Sequence, residues 1–461
     1  MVFKQYYLGC LSQASYLIGD ERTRTAVVVD PRRDVDEYLA DAAAQGLRIA
    51  HVILTHFHAD FVAGHLELRD RAGARIHLGA RARAEYDFSP LADGDRLELG
   101  TVRLEALETP GHTPEGISLL VYDLTKDARA PQAVLTGDTL FIGDVGRPDL
   151  MASAGVSARD LAGMLYESVH TKLLRLPAET LVYPGHGAGS MCGKSLSSET
   201  VSTIEAQRRD NYALQPMGKD EFVRLITSDQ PDAPEYFAYD AELNRRERPT
   251  LDRALDRELA PLSLAAVLAA QRDGAQVLDT RDPADFASGH LAGSINIGLG
   301  GRYATWGGIL LSPERPILLV TAPGAERTSA LRLGRIGFDN VRGVLAGGIE
   351  AAAVRPDVLR QTTRLTTAEL RARLADGGLV LVDVRFESEF RRSTIPGSVN
   401  VPLHHLRDRL AEIPGAEPVL VYCQTGLRSS TAASVLEQSG RTDVLDLVGG
   451  IAAWELDAKS A

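Results

Sequence analysis

Cysteine is scarce in this 461-residue chain: Cys10, Cys192 and Cys423 are an odd number set far apart. That excludes a disulfide framework and predicts a reducing, cytoplasmic location. Long apolar runs are missing too. No stretch reaches the ~18 consecutive apolar residues of a membrane-spanning helix, so no membrane partner is expected. The first residues, Met1-Val2-Phe3-Lys4-Gln5, carry no apolar core of a secretory signal. Nor is there a surplus of positive charge. Fifty Lys and Arg stand against 62 Asp and Glu, a net charge of −12, which argues against general binding to nucleic acid. What remains, 44% hydrophobic and 24% charged, is the balance of a globular protein. The length suits roughly three domains.

The first half is organised around Ile53-Leu54-Thr55-His56-Phe57-His58-Ala59-Asp60-Phe61. Val52-Ile53-Leu54 reads as a buried strand ending at Thr55. His56, His58 and Asp60 follow at alternate positions, on one side of an extended segment. Two neutral imidazoles and a carboxylate suit a borderline divalent metal such as zinc or iron(II). Three later loops each place a His or Asp just beyond a β-type run. They are Thr109-Pro110-Gly111-His112-Thr113, Gly137-Asp138 and Pro184-Gly185-His186-Gly187. Around them, Asp34 to Gln45 and Phe61 to Ala72 read as helices, closed by Gly46 and Gly73. The order of elements fits an α/β/β/α sandwich rather than alternating parallel βα units.

With T-H-x-H-x-D, P-G-H-T, T-G-D and P-G-H in place, the segment resembles the metallo-β-lactamase superfamily. Dinuclear members carry a histidine directly after the aspartate, where this chain has Phe61. An apolar ring cannot ligate, so the resemblance implies a single metal. Within the superfamily the chain is most similar to persulfide dioxygenases. That resemblance implies one Fe(II) per chain on His56, His112 and Asp138, a facial set with neighbouring positions open. It also implies the reaction R-SSH + O2 + H2O to R-SH and sulfite. His58, Asp60 and His186 would orient the ligands or touch substrate. The alternative for this segment is a zinc thioesterase of the hydroxyacylglutathione hydrolase type, against whose dinuclear centre Phe61 argues. Cys192, in Gly189-Ser190-Met191-Cys192-Gly193-Lys194-Ser195, is either a sulfur-relaying thiol or an incidental loop cysteine. Lys194 nearby would favour its thiolate. Arg147-Pro148-Asp149 reads equally as an ion pair or a substrate contact. His65 reads as a packed or surface residue, His51, His77 and His170 as surface or edge histidines, and Cys10 as a small buried side chain.

From Gln230-Pro231-Asp232-Ala233-Pro234 the texture changes. The charged run Asn244-Arg245-Arg246-Glu247-Arg248-Pro249 predicts an extended connecting arm. An internal repeat follows. Val277-Leu278-Asp279-Thr280-Arg281 recurs as Leu381-Val382-Asp383-Val384-Arg385, and Gly293-Ser294-Ile295-Asn296 as Gly397-Ser398-Val399-Asn400. At a slightly shorter offset, Pro316-Ile317-Leu318-Leu319 recurs as Pro418-Val419-Leu420-Val421, and Gly347-Gly348-Ile349 as Gly449-Gly450-Ile451. Each copy alternates strands with helices, which predicts a parallel sheet.

The second copy carries Cys423-Gln424-Thr425-Gly426-Leu427-Arg428-Ser429 between a buried-type strand and a helix. Successive N–H groups in such a loop cradle an anion, and a helix N-terminus adds partial positive charge. Both stabilise a thiolate or persulfide at Cys423, and Arg428 is placed to hold an anion such as sulfite or thiosulfate. Both copies resemble the rhodanese domain. In the first, Thr321 stands for Cys423 and Glu326 for Arg428, so that copy is expected to be non-catalytic, a spacer or docking surface. No role is expected for His290, His404 or His405. The expected order is a metallo-β-lactamase-fold domain over 1–245, a linker over 246–261, an inactive rhodanese-like domain over 262–358 and an active one over 363–461.

The combination resembles a sulfide-detoxifying fusion of a persulfide dioxygenase with a sulfurtransferase. Its partners would be a low-molecular-weight persulfide, O2, sulfite and thiosulfate. A homo-oligomer is left open. The non-enzymatic rival is a sulfur carrier or sensor with a structural metal.

Overall fold

In the computed structural model, residues 1–150, 155–228, 230, 232–415 and 418–460 are described. Pro231, in the expected connector, lies outside them. The chain forms two compact units, Met1–Arg253 with Gly334–Gly337, and Ala254–Leu333 with Phe338–Ala461.

The first unit is mixed α/β. One six-stranded sheet runs, edge to edge in chain order, through β1 (Val2–Leu8), β2 (Gln13–Asp20), β3 (Thr25–Val29), β4 (Arg48–Ile53), β5 (Arg75–Gly79) and β6 (Ser89–Leu91). The other contains β7 (Arg96–Leu99), β8 (Val102–Glu108), β9 (Ile117–Asp123) and β10 (Ala133–Gly137). After the small ribbon β11 (Leu140–Phe141) and β12 (Asp144–Val145), β13 (Leu181–Pro184) and β14 (Ser202–Thr203) complete it, in the order β14-β13-β10-β9-β8-β7. Between the sheets the inward positions of β2 and β3 (Tyr16, Ile18, Val27, Val29) meet those of β8, β9 and β10 (Leu104, Leu119, Val121, Leu135). Alternation puts the opposite face of β9, β10 and β13 (Leu120, Val134, Val182) against helices. These are α3 (Ala158–Tyr166) and α5 (Lys219–Thr227), which contribute Leu165 and Phe222. The remaining helices are α1 (Asp36–Ala44), α2 (His65–Ala72), α4 (Ile204–Asp210) and α6 (Tyr236–Leu243), and α7 (Leu251–Glu258) begins in this unit and ends in the next stretch of chain.

The expected sandwich is present, with local differences. Helix α2 begins at His65 rather than at Phe61. The backbone before it is bonded elsewhere: Gly64 N–H donates to Pro31 O (2.8 Å) and Ala63 N–H to Asn244 Oδ1 (2.8 Å). The expected extended arm contains α6 and a tightly held run. Asn244 is fully buried, and its amide donates to the carbonyls of His58 and Phe61, both at 2.8 Å. His77 is buried in β5, 3.0 Å from His51, and is not a surface residue. Burial and the neighbouring His51 lower its pKa to about 4. Cys10 is only half-buried, in the turn after β1.

Glu67 anchors this arm. It accepts from Arg33 Nε (3.0 Å), Arg248 Nη1 (2.7 Å) and the Leu251 N–H (3.1 Å), all buried. Burial alone would raise its pKa, but Arg248 and Arg33 outweigh it and hold the value at about 2, against an ordinary 4.5. A depressed carboxylate stabilises the fold above the unfolded-state value and loses that contribution as pH falls toward the folded one. Removing one partner strands the other charges, at a cost of about 3–5 kcal/mol. Glu67→Ala should therefore lower the denaturant midpoint of this unit well below that of the parent. An unchanged midpoint would contradict the assignment.

The second unit repeats one parallel α/β pattern. The first copy has β15 (Pro261–Leu262), α8 (Leu264–Arg272), β16 (Gln276–Asp279), α9 (Pro283–Ser288), β17 (His290–Leu291) and β18 (Ile295–Asn296). It continues with α10 (Tyr303–Leu310), β19 (Ile317–Val320), α11 (Glu326–Gly334), β20 (Val341–Leu345) and β21 (Leu359–Arg360). The second has β22 (Thr363–Leu365), α12 (Thr367–Asp376), β23 (Val380–Asp383), α13 (Glu387–Arg392) and β24 (Val399–Asn400), then β25 (Val419–Tyr422), α14 (Leu427–Gln438), β26 (Val444–Leu447) and α15 (Gly450–Ser460). The sheet orders match strand for strand: β15-β20-β19-β16-β18 and β22-β26-β25-β23-β24. The recurring sequence pieces are hydrogen-bonded to one another. Arg281 and Arg385 each fork onto the aspartate two residues back. Asn296 and Asn400 each donate to both carbonyls of that turn, Asp279 and Arg281, and Asp383 and Arg385. The repeat thus preserves a buried polar lock, whose loss would leave backbone carbonyls unpaired.

Candidate metal and sulfur-transfer sites

In the first unit, four strand-end loops converge. Donor atoms of His56, His112 and Asp138 all lie within 4.8 Å of one another, and all three residues are buried. Asp138 Oδ2 is 3.8 Å from His56 Nε2 and 3.6 Å from His112 Nε2. Both imidazoles are oriented by their far nitrogens. His112 Nδ1–H donates to the Arg147 carbonyl (2.8 Å). His56 Nδ1–H faces Thr55 Oγ1 (3.0 Å), whose own hydroxyl donates to Asp30 Oδ2 (2.8 Å). Each leaves an Nε2 lone pair turned toward Asp138, the tautomer a metal needs. The donor set therefore fits one divalent ion. Burial, then the neighbouring His58, push the His56 pKa well down.

His186 lies behind Asp138. Its Nδ1 is 2.8 Å from Asp138 Oδ1 and its Nε2 is 2.9 Å from Asp60 Oδ2. Burial opposes a proton there, but Asp138 and Asp60 prevail and raise the His186 pKa well above its ordinary value. The same pairing holds Asp138 far below the usual carboxylate range despite burial. A Cβ on Gly185 would sit 2.5 Å from Asp138 Oδ1, so only glycine lets this strand end approach the carboxylate. His58 Nε2 is 3.0 Å from Asp30 Oδ1, and the Phe61 ring lies 4.3 Å from the His58 ring.

Cys192 is buried beside Asp60 and His186, donor atoms within 4.8 Å. Burial, then Asp60 and Asp138, raise its thiol pKa strongly. Lys194 does not promote the thiolate, because its ammonium donates to the Leu225 and Ser228 carbonyls. Arg147 pairs in a fork with Asp149 (2.7 Å to each oxygen) and donates its N–H to the Cys192 carbonyl (3.0 Å). It ties the Cys192 loop to the His112 anchor. Next to His112, a cavity of about 210 Å³ is walled by Phe57, Leu150, Phe237 and Ala241, with Arg245 at its side.

In the second unit, Cys423 follows β25 directly and α14 begins four residues later. Gly426 N–H donates to Cys423 Sγ (3.1 Å). The loop is clamped from behind: Ile451 N–H donates to Cys423 O (2.8 Å) and Ala452 N–H to Gln424 O (3.1 Å). A Cβ on Gly450 would stand 2.3 Å from Cys423 O, and its counterpart Gly348 shares the positive φ, +62° against +59°. Arg428 forks onto Glu389 at 2.6 and 2.8 Å. Its charge is already met within the protein, which the sequence did not reveal. In the first copy Thr321 follows β19 as Cys423 follows β25, and Glu326 Oε1 accepts from Gly324 N–H (3.2 Å). His290, given no role above, is buried and 2.9 Å from Glu437 Oε2.

Sequence reasoning missed Asn244, Arg245, Thr55 and Asp30 as parts of the first site. Asn244 and Arg245 sit almost two hundred residues after the motif they support, among ordinary charged residues. Among the described residues, no helix is long and apolar enough to cross a membrane.

Comparison with known proteins accords with the folds of the two units. Residues 8–186 match the metallo-beta-lactamase superfamily model, and residues 263–353 and 366–457 match the rhodanese-like domain. The mitochondrial persulfide dioxygenase ETHE1 of Homo sapiens is 30% identical over 234 residues, 50% of this chain and 83% of that protein. The cytoplasmic hydroxyacylglutathione hydrolase of Arabidopsis thaliana is 34% identical over 186 residues, 40% of this chain and 67% of that protein. A crystal structure of a metallo-beta-lactamase from Staphylococcus aureus subsp. aureus COL superposes with a TM-score of 0.69 at 31% identity, covering 75% of this chain and 99% of the other. The chain therefore belongs to the metallo-β-lactamase superfamily and carries two rhodanese-like domains behind that fold.

Proposed function

We propose that the first unit is an iron(II) persulfide dioxygenase and that Cys423 is a sulfurtransferase nucleophile acting on its products. The observation that carries the reading is the His56–His112–Asp138 cluster, with both imidazoles presenting Nε2 and Phe61 standing directly after Asp60. His56, His112 and Asp138 would hold one Fe(II), which supplies the one-electron chemistry that zinc lacks. The likeness to persulfide dioxygenases supports iron, but hydroxyacylglutathione hydrolases are also similar. The Asp60–His186–Cys192 cluster would favour that second reading, with two metals. Against it, both ring nitrogens of His186 already face carboxylate oxygens. Phe57, Phe237 and Ala241 would receive the organic part of the persulfide and exclude water.

At the second site the carrier's terminal sulfur passes to Cys423: R-S-S⁻ and the thiol give R-SH and Cys423-S-S⁻. Sulfite then attacks the outer sulfur, forming thiosulfate and releasing the Cys423 thiolate. Joining the two sites in one chain raises the effective concentration of sulfite at the second. Protein made in iron-replete cells should contain near one Fe per chain by elemental analysis. Two Zn per chain with thioesterase activity would establish the hydrolase instead.

A further inference from the structure

We propose that α6 makes the first unit selective for persulfides whose organic part is small and uncharged, with Ala241 and Ala238 setting the size admitted. The inference deepens the persulfide reading of that unit and rests on it. Phe237, Ala238, Ala241 and Glu242 recur at helical spacing, so they share one face of α6, and Arg245 extends that face into the turn that follows. The face lines the cavity of about 210 Å³ next to His112. The neighbouring face, with Tyr236, Asp240 and Asn244 at every fourth position, is buried. Asn244 latches α6 to the loop of His56 and His58. Its amide donates to the His58 and Phe61 carbonyls, and its Oδ1 accepts from Ala63 N–H, all at 2.8 Å. The cavity wall and the ligand-bearing loop are therefore held in one register.

Size and charge together define what the cavity takes. Cavities for drug-sized ligands run to about 300–1,000 Å³, and this one is smaller. Phe237 is buried, Ala241 half-buried and Ala238 exposed, an order that runs from the depth of the cavity to its mouth. The charged groups of the face are turned onto the protein. Glu242 Oε1 accepts from Arg246 Nε (2.7 Å), and the Arg245 guanidinium lies over the Phe57 ring, 5.2 Å from its centroid. What faces the substrate is a wall of Phe57, Leu150, Phe237 and Ala241. A charge entering there without a partner loses its hydration and gains nothing in exchange. The charged termini of a peptide carrier such as glutathione meet that penalty, whereas a short alkyl chain gains from burial.

The test uses the iron-loaded full chain and reads kcat/KM from oxygen uptake, with iron content measured on each preparation. The donors are propyl persulfide, glutathione persulfide and hydrodisulfide, which has no organic part. The parent should prefer propyl over glutathione persulfide by about 10-fold or more, since small differences of fit in an apolar pocket are worth about 10–200-fold. Ala241→Leu fills the cavity and should lower kcat/KM for propyl persulfide by about 10-fold. Its loss with hydrodisulfide should be at least several-fold smaller. Should that variant fail to fold, Ala238→Phe at the exposed mouth should give the same ordering of losses. A parent that turns over glutathione persulfide as well as propyl persulfide would overturn the inference. So would variants that lose equally with propyl persulfide and hydrodisulfide, or that lose nothing. No oxygen uptake by the parent with any of the three would overturn the persulfide reading itself, and this inference with it.

Discussion

Asp138→Ala is expected to abolish persulfide-dependent oxygen uptake, with a loss of well over 100-fold. The carboxylate does two things at once. Oδ2 faces the Nε2 atoms of His56 and His112, and Oδ1 accepts from His186. Losing a group that merely orients a ligand typically costs 10–100-fold, and this residue is in the proposed ligand set itself. The substitution also leaves His186 buried with Asp60 as its remaining carboxylate, so metal content should fall with activity. An oxygen electrode and elemental analysis on the same preparation check both. Asp138→Ala protein that retains its iron and its oxygen uptake would remove Asp138 from the site. The second unit provides an internal control, since the proposed sulfur transfer at Cys423 draws its residues from a separate compact unit.

The second large effect is at Cys423. Serine keeps nearly the same shape, but its hydroxyl stays protonated near neutral pH and cannot store sulfane sulfur. Cys423→Ser should reduce sulfur transfer from thiosulfate to the level of a blank, a loss on the order of 10³-fold or more. Oxygen uptake should remain largely intact, while the product shifts from thiosulfate toward sulfite. Chromatography of the two anions after a fixed amount of oxygen has been consumed gives the ratio, with a no-enzyme control for spontaneous reaction of sulfite with persulfide. Wild-type ratios from the serine variant would detach the rhodanese unit from the pathway. Arg428→Ala should shift the ratio too, by a different route from the one its sequence position implies. Removing it leaves Glu389 without its guanidinium partner, a carboxylate whose pKa Arg428 holds down against burial, next to the site where anions would bind.

The parts of the site that were legible in the sequence are those encoded locally. His56, His112, Asp138 and His186 each lie just beyond a β-type run, and at the last three the Gly or Pro after the strand declares the turn as well as the element. The two rhodanese copies were legible because the repeat conserves a hydrogen-bonded lock, Asp279–Arg281–Asn296 and Asp383–Arg385–Asn400, rather than general composition. What stayed hidden depends on long-range pairing. Asn244 looks like one polar residue in a charged run, yet its amide fixes the backbone of His58, Phe61 and Ala63. Arg428 carries the motif's positive charge, but only the fold brings Glu389 to it. Lys194 is two residues from Cys192 in sequence, and its chain turns to other carbonyls. Phe61 shows the limit from the other side. Its identity argues against a second histidine ligand, whereas Cys192, far along the chain, returns a donor atom to the same neighbourhood.

The most direct test is oxygen consumption by the iron-loaded full-length protein given a low-molecular-weight persulfide, with sulfur products counted against oxygen. The account requires sustained uptake, with sulfite and thiosulfate together matching the oxygen used mole for mole, since each carries one newly oxidised sulfur. No uptake above the metal-free protein, together with hydrolysis of a glutathione thioester, would contradict it.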